Sequence, residues 1–476
     1  MLFCVLFFAG IVGRAAVTNY VVPPGTAGVN PAPNYTNWAT AATNIQDAIN
    51  VAGNGAGNAI FITNGHYYLT GALSVAKTVL IRSFNNGVVD PTNTIVDANN
   101  YTGKHVTNQC VSIVASATVE GLTFTNGVAT SLANGGGCYL YAGTITNCII
   151  TGNSATNGFF SGGGIYTDGG GGVVANCQIV ANLCTKNGAG ISIRSGIIVK
   201  NCFFGWNQIV GENGNGAISF DSAGYVYNCD IVSNSGLVGV VSVVSGSGSI
   251  ISNCTIRENL KGFAIDCWNV ASLTDPCALI TDCRIINNNG GPNYSGGVFL
   301  SKGAKIRNSI IANNIGTNSS GGGVSAHWNA GVTSFVESCT IVSNYALSVG
   351  GVKEPAGAGS VCFITDTIIA SNNAASGDKD IDVSDSNKNY VTNSCCPTKS
   401  LPSLQGNIQA DPMFIDVNGG NYRLDRNSPC INAGLNQDWM TGMVDLDGHS
   451  RIDRFSGVVD MGAYERINSG TLYGFR

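Results

Sequence analysis

Asp168, Arg194 and Asp221 follow one another at intervals of 26 and 27 residues in the middle of this chain. Two carboxyls around a guanidinium are a set that could cleave a glycosidic bond. One carboxyl protonates the leaving oxygen while the other activates water. Inverting glycosidases hold such a pair roughly 6.5–9.5 Å apart. Tyr139, Tyr141, Tyr166, Trp268 and His327 fall at matching points of the neighbouring repeats, and aromatic faces of this kind can stack on sugar rings. The competing reading is plainer: a charged ladder on an exposed sheet is a solvated stripe of little energetic worth, and Tyr is an ordinary strand former.

What would align these residues is a repeat. Asn147-Cys148-Ile149-Ile150 with Asn153 recurs as Asn176-Cys177-Gln178-Ile179 with Asn182 and as Asn201-Cys202-Phe203-Phe204 with Asn207. It continues at Asn228-Cys229, Asn253-Cys254 and Asp282-Cys283, and in weaker copies at Asn308-Ser309, Ser338-Cys339 and Asp366-Thr367. The second positions lie 29, 25, 27, 25, 29, 26, 30 and 28 residues apart. A fixed period of this length marks a solenoid. Within each unit apolar residues alternate, as in Ile191-Ser192-Ile193-Arg194, so the units consist of short strands and not helices. The expected architecture is all-β, a parallel β-helix solenoid. It should carry an N-terminal helical cap and a C-terminal closing module.

Stacking then assigns roles to the repeated residues. The cysteines form one inward column and the Ile two positions later another, while stacked Asn side chains bond along the axis. Asn also tolerates the left-handed bend. The Gly runs 135–137, 162–164 and 321–323 suit corners with positive φ. Counting from each Gly or Ala corner gives two outward rows. The first reads Tyr141, Asp168, Arg194, Asp221, Trp268, Ser301, His327; the second reads Tyr139, Tyr166, Ser192, Ser219, Asp266, Phe299, Ser325, Lys353. Asp168 and Asp221 would stand two rungs apart, about 9–10 Å.

The net charge of −5 and the absence of a basic run argue against nucleic acid. Leu2–Gly13 is an apolar run too short to span a bilayer, and Gly13-x-Ala15 suits signal cleavage, so residues 1–16 read as a signal peptide. No second stretch of membrane length follows. The chain carries 17 Cys. The periodic ones read as buried thiols, whereas Cys267 with Cys277, and Cys395 or Cys396 with Cys430, could form disulfides. No zinc set accompanies them. Asp445, Asp447 and Asp453 raise calcium, but Gly448 does not sit where a calcium loop needs it, and turn formation with pairing to Arg451 reads better. His66 reads as a turn residue.

Trp38–Ile49 shows helical spacing and would lid the solenoid end, giving an N-terminal cap region at 17–126 with strands at 59–63, 78–83 and 94–96. Regular repeats fill 127–373, and a module of different composition fills 374–476. Tyr20-Val21-Val22, Trp38-Ala39-Thr40-Ala41-Ala42 and Ile45-Gln46-Asp47-Ala48-Ile49 resemble the start of bacterial pectate-lyase-like right-handed β-helix proteins. The lines Asp411-Pro412-Met413-Phe414, Ser428-Pro429-Cys430-Ile431-Asn432-Ala433-Gly434 and Asp460-Met461-Gly462-Ala463-Tyr464-Glu465 resemble the choice-of-anchor Q module. The resemblance implies a right-handed parallel β-helix solenoid of the pectin-lyase-like kind, and export to an extracellular or cell-surface setting. Only Arg466–Arg476 follows the module, so secretion is expected over tethering. The catalytic lines of polygalacturonases (Gly-His-Gly, Asn-Thr-Asp) and of pectate lyases (Arg-x-Pro-x-x-Arg) are missing. The expected function is to act on or bind extracellular polysaccharide, as a monomer; the alternative is a non-catalytic, adhesin-like structural β-helix.

Overall fold

The computed structural model describes residues 16–99, 109–129, 134–156, 161–194, 196–211, 214–245, 248–268, 278–317, 321–326, 331, 333–355, 357, 359–384 and 387–467. The chain coils into a right-handed parallel β-helix whose turns each add a strand to three long sheets. One holds 14 strands and the other two 12 each. We call the 14-stranded sheet I, the one running from Leu73–Val75 to Ile381–Asp382 sheet II, and the one running from Gly65–Tyr68 to Ile368–Ala370 sheet III. A typical turn runs through Ile191–Ile193 in sheet II, Ile198–Lys200 in sheet I and Phe203–Gly205 in sheet III.

The repeat builds both ends of each sheet III strand. Its first Asn sits in the left-handed region, with φ of 54° at Asn176, 53° at Asn201, 54° at Asn228 and 48° at Asn253. That conformation is cheapest for Gly, Asn and Asp, which explains Asp282 and Asp366 at the same corner. The residue before the second Asn is left-handed as well, at Ala181, Trp206, Ser233 and Glu258.

The second Asn is buried and forms a continuous ladder. Asn153, Asn182, Asn207, Asn234, Asn259, Asn288, Asn314 and Asn344 each donate their side-chain amide to the next Asn, the last to Asn372, at 2.9–3.1 Å. Asn372 closes the ladder on Asp380 Oδ1 at 3.0 Å. The corner Asn residues form a second, exposed ladder of opposite polarity: Asn201, Asn228 and Asn253 donate to the preceding turn at 3.1, 3.2 and 2.8 Å.

The cysteine column is buried as expected, and each thiol donates to the carbonyl two residues earlier, as from Cys177 to Ala175 at 3.1 Å. All cysteines among the described residues are free thiols. The proposed pairing of Cys267 cannot be followed because Cys277 lies outside the described residues, as do most of the expected signal peptide and its Cys4.

Four details depart from the sequence reading. The N-terminal helical pattern splits into a 3₁₀ turn, Trp38–Thr40, and a seven-residue helix α1, Ile45–Val51. Asn44 caps α1 by accepting from Gln46 N, so the helix starts late. His66 lies on a strand and pairs with Asp97 at 2.7 Å instead of sitting in a turn. Of the three glycine runs only Gly135 and Gly162 have positive φ. The others are small because the corners of successive turns touch: a Cβ on Gly137 would lie 2.7 Å from Gly164 O, and one on Gly323 2.9 Å from Gly351 O.

The coil also runs on past Asn373, through Ile381–Asp382 and Val391–Thr392. Cys396 and Leu401 then cover the end of the core. Residues 411–467 fold back along the outer flank of sheet III. There Tyr422 Oη accepts from Asn313 at 3.0 Å, Arg284 donates to Leu446 O at 2.9 Å, and Ala463 N donates to Thr340 Oγ1 at 3.0 Å.

Candidate functional site

The outward row on sheet II follows the strand register. Tyr139 pairs with Tyr166, Tyr166 with Ser192, and Ser192 with Ser219. Ser219 then pairs with Ser242, Ser242 with Asp266, Asp266 with Phe299, Phe299 with Ser325, and Ser325 with Lys353. Asp168, Arg194 and Asp221 each follow the end of a strand on three consecutive turns of this sheet, beyond Thr167, Ile193 and Phe220. Tyr141 takes the same position one turn earlier and is exposed, its ring lying over Gly169 and Gly170. The tyrosines Tyr139 and Tyr166 stack at 6.0 Å and 22°.

The three charged residues differ in their surroundings. Asp221 is held by neutral donors: Asn187 and Ser219 reach Oδ1 at 3.1 and 3.2 Å, and Ser192 reaches Oδ2 at 3.0 Å. Asn187 is itself bridged by Asn215, so this carboxylate fixes the corner loops to the sheet. Arg194 is exposed and donates from Nη1 to Tyr166 Oη at 2.8 Å. That hydrogen bond, with the nearby charges of Asp221 and Asp168, raises its already high pKa. Asp168 is partly exposed, and its carboxylate has no hydrogen-bond partner among the described residues. Its charge is felt at Tyr139, whose hydroxyl is pushed up in pKa first by burial and next by Asp168. Neither carboxylate lies within ion-pairing distance of Arg194 among the described residues.

Asp266 belongs to the same outward row, and its surroundings set it apart. It is 1 % exposed, its Oδ1 has no partner, and burial alone lifts its pKa to about 7. Ser242 Oγ on the adjoining strand and Ser301 Oγ are likewise buried without a partner. Rings gather beside it: Phe299 lies 5.0 Å from Phe263 and stacks on Trp268 at 5.7 Å and 15°, while Tyr294 meets Phe263 edge-on at 5.4 Å. The signal available in sequence was an acid in register with Phe299, two residues before Trp268. His327 lies outside the described residues.

Elsewhere, the hollow lined by Val89, Pro91, Asn147, Ile149, Asn176 and Gln178 lies off this face and is lined by no carboxylate. In the flank segment, one ligand atom each from Asp445, Asp447 and His449 falls within a mutual 4.8 Å. Asp445 Oδ1, however, accepts the N–H groups of Asp447 and His449 at 2.9 and 2.8 Å, forming a turn, and Arg423 clamps Asp447 at 2.6 and 2.5 Å. An imidazole and two engaged carboxylates are a poor match to calcium, which takes six to eight oxygens. Arg451 does not pair with this turn as the sequence suggested; it is fully buried against Glu465 at 3.2 Å.

A sequence profile described as right handed beta helix region matches residues 141–291. No curated protein sequence matches the chain. Among solved structures, a mutant of the PL6-family alginate lyase AlyGC superposes with a TM-score of 0.55 at 14 % identity, over 93 % of this chain and 59 % of that one. The catalytic unit of a thermostable GH87 α-1,3-glucanase from Streptomyces thermodiastaticus strain HF3-3 gives 0.46 at 14 % identity, over 72 % and 62 %. A rhamnogalacturonan lyase gives 0.32 at 13 % identity, over 89 % and 95 %. The chain thus spans about three-fifths of the length of the first two, and at these identities the likeness is one of fold. Among the described residues, no helix is long and apolar enough to cross a membrane.

Proposed function

We propose that this protein binds an extracellular polysaccharide along the outer face of sheet II and hydrolyses it between Asp168 and Asp221. The observation that carries the reading is the run of Tyr139, Tyr141, Tyr166, Asp168, Arg194 and Asp221 on four consecutive turns, with Asp168 unpartnered and Asp221 immobilised. The fixed carboxylate Asp221 would hold the attacking water, while Asp168 would meet the leaving oxygen. The alginate lyase superposition supports polysaccharide as the ligand class, through fold alone. Charge narrows the class further. This face carries the carboxylates Asp168 and Asp221, and Arg194 on the turn between them is engaged by Tyr166. A polyuronate would be repelled by these two carboxylates, so a neutral glycan fits better than an acidic one. Secretion and action as a single chain remain part of this proposal.

The non-catalytic alternative has one observation in its favour: both oxygens of Asp221 already accept hydrogen bonds. Release of reducing ends from a panel of neutral polysaccharides decides between them. Asp168→Asn should abolish release while leaving glycan retention in affinity electrophoresis unchanged. Retention without release by the unaltered chain selects the binding-only reading.

A further inference from the structure

Cys395 and Cys430 come from different parts of the chain and meet in one apolar cluster. Cys395 ends the coil: its backbone bridges Ile368 on one side and Ile408 on the other. Cys430 belongs to the flank segment, its N–H bound to Ser428 Oγ at 3.1 Å. Both are fully buried among Ile368, Ala370, Leu424 and Met461. The neighbouring Cys430 thiol, ahead of burial, raises the Cys395 pKa.

Their position separates them from every other thiol described. The column cysteines join turns that the Asn ladder and three sheets already hold, so a bond there would add no new connection. Cys396, the other partner the sequence allowed, points the opposite way into the solenoid core, because successive residues of an extended strand alternate.

We propose that Cys395 and Cys430 form a disulfide that fastens residues 411–467 to the last turn of the solenoid. The oxidant is a small-molecule disulfide such as glutathione disulfide. One cysteine thiolate attacks it and expels a glutathione thiolate; the second cysteine thiolate then attacks the mixed disulfide and expels another. Two thiol protons leave, the protein loses two electrons, and one glutathione disulfide becomes two glutathiones. Because both sulfurs are buried, exchange takes place as the segment docks, and the finished bond is shielded from reductant. The proposal does not depend on what the sheet II face binds.

The full chain refolded in glutathione redox buffer, denatured, alkylated and digested without reduction provides the test. A peptide linking Cys395 to Cys430 is expected, with fragmentation placing the bond on Cys395 and with Cys396 and Cys283 alkylated. The oxidised chain should also resist protease cleavage within 411–467 several-fold better than chain refolded in reductant. Alkylation of both Cys395 and Cys430, or a bond from Cys430 to Cys396, overturns the pairing. Equal cleavage of the two forms overturns the fastening role.

Discussion

The guanidinium of Arg194 reaches back one turn to the Tyr166 hydroxyl at 2.8 Å, leaving Asp168 and Asp221 on either side of it outside ion-pairing distance. The charged row is therefore not a salt-bridge stripe. Arg194 orients a ring that stacks on Tyr139, and Asp168 keeps its carboxylate free. Arg194→Ala should weaken glycan binding roughly tenfold by releasing Tyr166. Because Arg194 is exposed, folding stability should move by less than about 1 kcal/mol. Isothermal titration alongside thermal unfolding checks both halves.

Asp221 carries a structural load that Asp168 does not. Asp221→Asn turns one acceptor oxygen into a donor among Asn187, Ser192 and Ser219, and should destabilise the fold by about 1–2 kcal/mol. Asp168→Asn should be neutral in the same urea titration. Equal effects would mean that the side-chain environments described for the two residues are wrong.

The buried ladder should be far more sensitive than the exposed one. Asn234→Ala removes the bonds to Phe204 O and Asn259 Oδ1 and takes the acceptor from the buried backbone N–H of Asn207, costing about 2–4 kcal/mol. Asn253→Gly keeps the left-handed corner and loses only an exposed side-chain bond, so its cost should stay under about 1 kcal/mol. Chemical unfolding of the two variants measures the contrast.

Asp266 makes stability fall as pH rises. Its folded pKa of about 7 exceeds the ordinary carboxyl value of 3.8, so between these values the native state holds a proton that the unfolded chain has released. Stability drops through that window and levels off above about pH 7. The full span is of order 4 kcal/mol. Asp266→Asn should remove this component, so the variant should gain on the unaltered chain as pH goes from 4 to 8. Parallel unfolding curves across that range would contradict the burial of an unpartnered carboxyl.

Much of this was legible in the sequence because the period constrains so strongly. The Asn-Cys-x-Ile phrase encodes a left-handed corner, an inward thiol and an inward Ile, and counting from the Gly corners recovered the register Tyr139–Tyr166–Ser192–Ser219. The count leaves out the turn at Ser242, where Gly239 opens a longer, five-residue strand. Burial of the outward row was not legible. The chain entering each strand passes over that row: Gly162 approaches the Tyr166 Cβ, and Gly321 approaches Ser325 and Lys353. Outward therefore did not mean solvated, and Asp266 escaped notice. Side-chain direction was equally hidden, so the bond from Arg194 to Tyr166 could not be read from the row.

The most direct test of glycan engagement on sheet II compares two tyrosines of similar exposure. Tyr141 is 44 % exposed beside the proposed site, and Tyr225 is 42 % exposed on sheet I. Hydroxyl-radical footprinting with and without a neutral oligosaccharide that the protein retains should show Tyr141 protected and Tyr225 oxidised at an unchanged rate. Protection of Tyr225 with Tyr141 unaffected would place binding on another face and contradict the account.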